Sequence, residues 1–188
     1  MMVWMIRHGE SATNKSKSWT GWLDVPLSEE GRKDAALARE ALSRVNFDKI
    51  YSSDLIRARE TAEIAIPGCK YETTELIREI NVGDIAGKPL EVAYDANGLF
   101  LSKDGYAGFG GESTTQFKGR INSFMKKLEG EKHERIAVFS HKGFITRFLE
   151  AVLEISIPRK HLCCKNCAIA IFEYSDSTWT LHSWINLT

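Results

Sequence analysis

The sequence predicts an α/β three-layer sandwich: a mostly parallel central sheet of about six strands, one antiparallel at an edge, with helices on both faces. Three observations lead there. Short apolar runs at 3–6, 49–52 and 136–139 have the length and composition of buried parallel strands. Stretches of helical periodicity alternate with them. The chain then closes on two β-rich stretches around Ser175-Asp176-Ser177, the pattern of an antiparallel hairpin.

The elements follow in order. The first strand runs into Arg7-His8-Gly9-Glu10, and a polar loop over 11–26 carries Trp19 and Trp22, which read equally as core anchors or pocket walls. Ser28 has the character of an N-cap, with Glu29 and Glu30 in the first turn. Ala38, Ala41, Leu42 and Val45 follow at helical spacing and predict a helix over 28–44. After the strand at 49–52, Asp54 is expected to cap a second helix. Its Ala58, Ala62 and Ala65 form a small-residue packing face, and Pro67-Gly68 stops it. Residues 71–77 read as a strand. The stretch 83–111 is irregular, with Gly105, Gly108, Gly110 and Gly111 among Tyr94, Phe100, Tyr106 and Phe109. It is expected to hold one short helix over 90–101 within a mobile lid-like loop. Ser113 caps a helix to about residue 128, and 135–140 is a strand. Residues 143–153 form a helix with Ile145, Phe148, Leu149 and Val152 on one face, and 167–174 with 178–185 make the hairpin.

The 188 residues fit a single domain over 1–188, with 83–112 as a small cap or lid inserted in it. With 25 basic and 25 acidic side chains the formal charge is zero, which argues against a bulk nucleic-acid-binding surface but not against a local basic pocket. The apolar start ends at Arg7, too short for a signal-peptide core or a membrane span, so a cytoplasmic protein without membrane association is expected. Cys163, Cys164 and Cys167 lie close together, but a zinc site would need a fourth ligand, His161 being the candidate. The spacing is not that of a standard finger, and reduced cysteines packed near the last strands are the favoured reading. His133, His161 and His182 lack convergent partners.

His8 and His141 both sit just past apolar runs, so both imidazoles emerge at strand C-termini, the edge where open α/β sheets place ligands. Arg57 falls in the first turn after another strand. Two histidines and two arginines on one crevice suit a phosphoryl group: Arg7 and Arg57 offer forked, permanently charged N–H pairs, and the backbone N–H groups of 140–143 open a helix toward the anion. His8 must attack as a neutral imidazole, with its other ring nitrogen bonded to a local carbonyl. His141, if protonated, stabilises charge on the transferring group. A carboxylic acid must protonate the leaving alkoxide. Glu79 is the candidate, with Glu112 and Asp84 as nearby rivals.

These residues resemble the histidine phosphatase superfamily, the phosphoglycerate-mutase-like enzymes. The resemblance is carried by Arg7-His8-Gly9-Glu10-Ser11-Ala12-Thr13-Asn14, then Thr20-Gly21-Trp22 and Asp24-x-Pro26-Leu27-Ser28-x-x-Gly31. Further blocks are Ser52-Ser53-Asp54-Leu55-x-Arg57-Ala58-x-x-Thr61-Ala62, Arg78-Glu79-Ile80-x-x-Gly83-x-x-x-Gly87, Gly110-Gly111-Glu112-Ser113 and Ser140-His141. It implies a phosphohistidine on His8, with Arg7, Arg57 and His141 around the phosphate and Glu79 as proton donor. Asn14, Thr20 and Gly21 would line the pocket, and neither metal nor organic cofactor is implied. Two departures stand out. Lys142 replaces the usual Gly after the second histidine, and either reaches a second acidic group on the substrate or points to solvent. Ile85-Ala86 stands where an aromatic-Glu pair is common.

The expected function is hydrolysis of a small-molecule phosphate ester, a phosphomonoesterase. A phosphoglycerate mutase is the alternative, though family mutases carry an arginine-rich clamp and 83–111 contains no arginine. A non-catalytic phospho-ligand binder is a third possibility. The specific substrate and the oligomeric state are not encoded legibly.

Overall fold

The computed structural model describes residues 1–158 and 161–187. Six strands, β1 (Met2–Arg7), β2 (Lys49–Ser53), β3 (Glu72–Thr74), β4 (Arg135–Ser140), β5 (Ile169–Ser175) and β6 (Thr178–Ile185), form one sheet in the order β3-β2-β4-β1-β5-β6. The first four in that order run parallel, and β5 pairs antiparallel with both neighbours. The reversed strand expected at an edge thus lies one place in, because the hairpin lays β6 outside it. Asp176 and Ser177, at φ 49° and 60°, form the two-residue turn whose twist suits that hairpin.

Alternation along the strands divides the core. Val3, Met5, Ile136, Val138 and Phe172 face α4 (Thr114–Glu129) and α5 (Lys142–Leu153). Ile6, Ile50, Ala137, Phe139 and Ile169 face α2 (Glu29–Leu42) and α3 (Ile56–Ala65), whose Ala35, Ala38, Ala62 and Ala65 let the helices lie close on the sheet. The Ser28 hydroxyl accepts from Gly31 N–H at 3.1 Å and starts α2. Ser113 and Gln116 form a reciprocal capping box on α4.

Several local expectations are corrected. Within the loop at 11–26 lies a one-turn helix, α1 (Ala12–Lys15), capped by Ser11. Asp54 does not cap α3. Leu55 holds that position without a side-chain bond, and the Asp54 carboxylate is taken by Arg78, whose Nε donates at 2.8 Å. The strand expected over 71–77 stops at Thr74, whose hydroxyl accepts from Leu76 N–H and turns the chain into a 3₁₀ turn at Glu75–Ile77. Residues 83–111 hold three 3₁₀ turns, at Gly83–Ile85, Leu90–Ala93 and Ala107–Phe109, rather than one helix over 90–101. Helix cannot continue past Ala93, because Tyr94 bridges to Phe100 across a turn held by the Asp95 side chain and backbone.

The long helices that follow β1 and β4, α2 and α5, lie on opposite faces, so a crevice opens where these adjacent strands end. The His8 N–H donates to the Ser140 carbonyl at 3.0 Å and carries the parallel ladder one residue past β1. The turn after His8 rests directly on α2: a Cβ on Gly31 would lie 2.0 Å from the Glu10 carbonyl oxygen. Gly31→Ala is therefore expected to lower unfolding free energy by about 3 kcal/mol in urea denaturation. A loss below about 0.5 kcal/mol would contradict this backbone contact.

Candidate active site

His8 is buried at the C-terminus of β1, with its Nδ1 2.7 Å from the Gly9 carbonyl oxygen. A carbonyl only accepts, so Nδ1 carries the hydrogen and Nε2 keeps its lone pair. That lone pair faces the Nε–H of Arg57 at 3.3 Å. The His141 ring lies across from it, centroids 5.1 Å apart and steeply inclined, fully buried at the end of β4 with neither ring nitrogen hydrogen-bonded among the described residues. Two imidazoles from adjacent strands thus meet ring to ring.

Arg57, at the start of α3, is fully buried, and its Nη atoms donate to the carbonyls of Leu23 and Gly21 at 2.9 Å each. Burial pulls it down to about 10, which still leaves it charged at neutral pH. Arg7 donates to the Cys164 carbonyl at 2.6 Å, while its buried Nε has no partner among the described residues. Burial, reinforced by the two guanidinium groups, holds both histidines well below the usual imidazole range. His141, considered above in its protonated form, is neutral in the site at neutral pH.

Glu79 enters from the stretch after β3. Its Oε1 accepts from Ile80 N–H at 2.9 Å and its Oε2 from Gly143 N–H at 3.0 Å. The Gly143 N–H, expected to face the anion, is thus spent on Glu79. A Cβ at 143 would lie 2.0 Å from Glu79 Oε1, so glycine there is what lets the carboxylate approach α5.

Three residues whose roles the sequence did not disclose suspend this carboxylate. Trp22 Nε1 donates to the Glu79 carbonyl at 2.7 Å, with the Arg78 guanidinium 4.8 Å above its ring. Arg120 of α4 donates to the carbonyls of Leu76, Arg78 and Glu79. It also pairs in a fork with Glu112, at 3.0 and 2.8 Å. Glu112 accepts from Asn81 N–H as well, so this rival for the acid role is committed to holding the Glu79 loop. Asp84 lies outside the cavity lining. Only the spacing from Gly110-Gly111-Glu112-Ser113 to Arg120, two turns along α4, offered a signal for the clamp.

The cavity over these groups is about 610 Å³. Arg7, His8, Arg57 and Glu79 line it, as do Asn14, Thr20, Gly21 and Lys142; His141 is not on the lining but packs against the His8 ring. Asn14 Oδ1 is engaged with Ser11, and the Thr20 hydroxyl bonds Thr13 at 2.6 Å. Gly21, at φ +51°, turns its carbonyl to Arg57 where a Cβ would strike Val82. Of the two tryptophans, Trp19 is a wall, with Tyr94, Phe100 and Tyr106 beside it, and Trp22 is an anchor. Cys164 and Cys167 are buried, and burial pushes their thiols up to about 11 and 12, so they pack as neutral groups. His133 pairs with Glu131, while His161 and His182 are exposed. Among the described residues no helix is long and apolar enough to cross a membrane.

A family model described as the histidine phosphatase superfamily (branch 1) matches residues 3–187. Phosphoglycerate mutase-like protein 4 of Arabidopsis thaliana is 33% identical over 193 residues, covering 96% of this chain and 83% of its own. A solved phosphoglycerate mutase from Thermus thermophilus superposes with a TM-score of 0.75 at 28% identity, covering 100% of both chains. A phosphoserine phosphatase mutant from Entamoeba histolytica, solved with phosphoserine, gives 0.79 at 24% identity over 99% and 97%, a likeness of fold.

Two outcomes are expected. Because the unfolded chain protonates its histidines near pH 6.5 and the folded site resists, stability is undiminished by these groups above that pH and falls below it. The slope reaches up to about 1.4 kcal/mol per pH unit for each histidine. Urea unfolding between pH 7.5 and 5 will show a shallower decline in His141→Asn; equal slopes would refute neutral burial. Separately, Gly143→Ala will displace the carboxylate and lower kcat on a phosphate ester by at least about tenfold while the protein stays folded; unchanged kcat with retained circular dichroism would show that the Glu79 contact is dispensable.

Proposed function

The chain belongs to the histidine phosphatase superfamily, and on that premise we propose that it is a phosphomonoesterase acting through a phosphohistidine on His8. The observation behind this is the pairing of an Nε2 lone pair with the buried Arg57 guanidinium at one end of a cavity that also contains Glu79. In this reading Arg7 and Arg57 hold the phosphoryl oxygens, and His8 Nε2 attacks phosphorus. The bond to the leaving oxygen breaks, and Glu79 gives that oxygen its proton. Water then attacks the phosphohistidine while Glu79 takes its proton. The P–N bond breaks, and orthophosphate leaves with Glu79 again protonated. His141 becomes the cationic partner of the equatorial oxygens once the dianion is bound. Asn14, Thr20 and Gly21 shape the same end, and 83–112 acts as the cap over the leaving group.

Relatives named phosphoglycerate mutase or phosphoglycerate mutase-like support a second reading, in which the phosphoryl group returns to another hydroxyl. Hydrolysis is favoured because a mutase must retain its dephosphorylated intermediate. The cap contributes aromatic and apolar side chains and no arginine to this roomy cavity, so it supplies no charged clamp to seal a short intermediate against the phosphohistidine, and water competes.

Single turnover with 2,3-bisphosphoglycerate will separate the two: orthophosphate release is expected, and persistent phosphoenzyme with isomerised product would overturn the hydrolytic assignment. With p-nitrophenyl phosphate, His8→Ala is expected to lose at least about 10³-fold in kcat, and vanadate but not EDTA to inhibit the wild type. No His8-dependent release across sugar and nucleotide phosphates would favour a non-catalytic binder, and loss of turnover in EDTA would point to a metal.

A further inference from the structure

Building on the phosphatase reading, we propose that the cavity has a second anion subsite, formed by Lys118 and Lys142 with the Thr146 hydroxyl, and that the substrate is a phosphomonoester bearing a separate acidic group. A chain of zero net charge places five cations, Arg7, Arg57, Lys118, Lys142 and Arg147, on the cavity lining against one carboxylate, Glu79. Arg7 and Arg57 are accounted for at the phosphoryl end. Arg147 is neutralised by Glu150, whose carboxylate also accepts from Ile157 N–H. Lys118 and Lys142 are exposed and have no ion pair among the described residues.

The hydroxyl of Thr146 adds an independent sign. It lies one turn after Lys142 on the same helical face, lines the cavity, and its buried Oγ1 has no hydrogen-bond partner among the described residues. A helical threonine ordinarily bonds back to the carbonyl four residues earlier, so this unpartnered hydroxyl at the cavity wall is a donor that a rotation about χ1 offers to a ligand. Lys118 stands in the second turn of α4, an element that supplies no phosphate-facing group. Trp19, Tyr94 and Phe100 also line the cavity. The chemistry that fits is a flat or apolar body, phosphorylated at one end and carrying a carboxylate or second phosphate at the other.

The test compares phenyl phosphate with 4-carboxyphenyl phosphate. The ratio of their kcat/KM values will fall about tenfold from wild type to Lys118→Gln/Lys142→Gln and be retained in Lys118→Arg/Lys142→Arg. A change below about twofold in the glutamine variant overturns the subsite. Calorimetry with phenylphosphonate and 4-carboxyphenylphosphonate reads the same preference without turnover. Preferential binding of the carboxylated phosphonate, lost in the glutamine variant, with neither ester hydrolysed, would sink the phosphatase reading and leave the subsite standing. Hydrolysis of both esters with no preference in either readout would do the reverse.

Discussion

The buried guanidinium of Arg57 is the interaction on which the site depends. Its two Nη atoms tie down the Gly21 and Leu23 carbonyls, so a stretch with no regular structure of its own is pinned to α3. Its Nε fixes the direction of the His8 lone pair. Burial keeps both imidazoles neutral, and the charge of Arg57, with that of Arg7, adds to it. A buried cation is costly unless compensated, and carbonyl oxygens compensate it only in part. The site therefore carries an excess of buried positive charge, the electrostatic condition that favours an anion.

The sheet supplies the other half of the geometry. Neighbouring parallel strands end side by side, and the single backbone bond from His8 to Ser140 sets the register at the level of the two rings. Glu79 arrives differently. Its loop hangs from Trp22, Arg120 and Glu112, which belong to three separate segments of chain. His8 and the Glu79 carboxylate are thus held by independent means, one by the ladder and the other by a side-chain truss.

Much of this was legible beforehand. Periodicity located the long helices and the strands around both histidines, because those elements bury faces whose spacing is local. The motif blocks identified the arginines and histidines that the fold brings together. What local pattern could not show were choices settled over distance. Asp54 resembles a helix cap until Arg78, 24 residues on, is seen to claim it. Glu112 reads as a possible acid until Arg120 engages both its oxygens. The Gly143 N–H is a generic anion donor in sequence and a fixed partner of Glu79 in space.

Residues 83–112 share a small apolar nucleus with Val82: Val82, Ile85, Ala93 and Tyr106 cluster apart from the two cores that sandwich the sheet. Drift in this nucleus can alter which molecules are accepted while the machinery beneath remains untouched. Divergence among descendants of such a chain is then expected to concentrate there, giving new roles an evolutionary route that leaves the residues beneath in place.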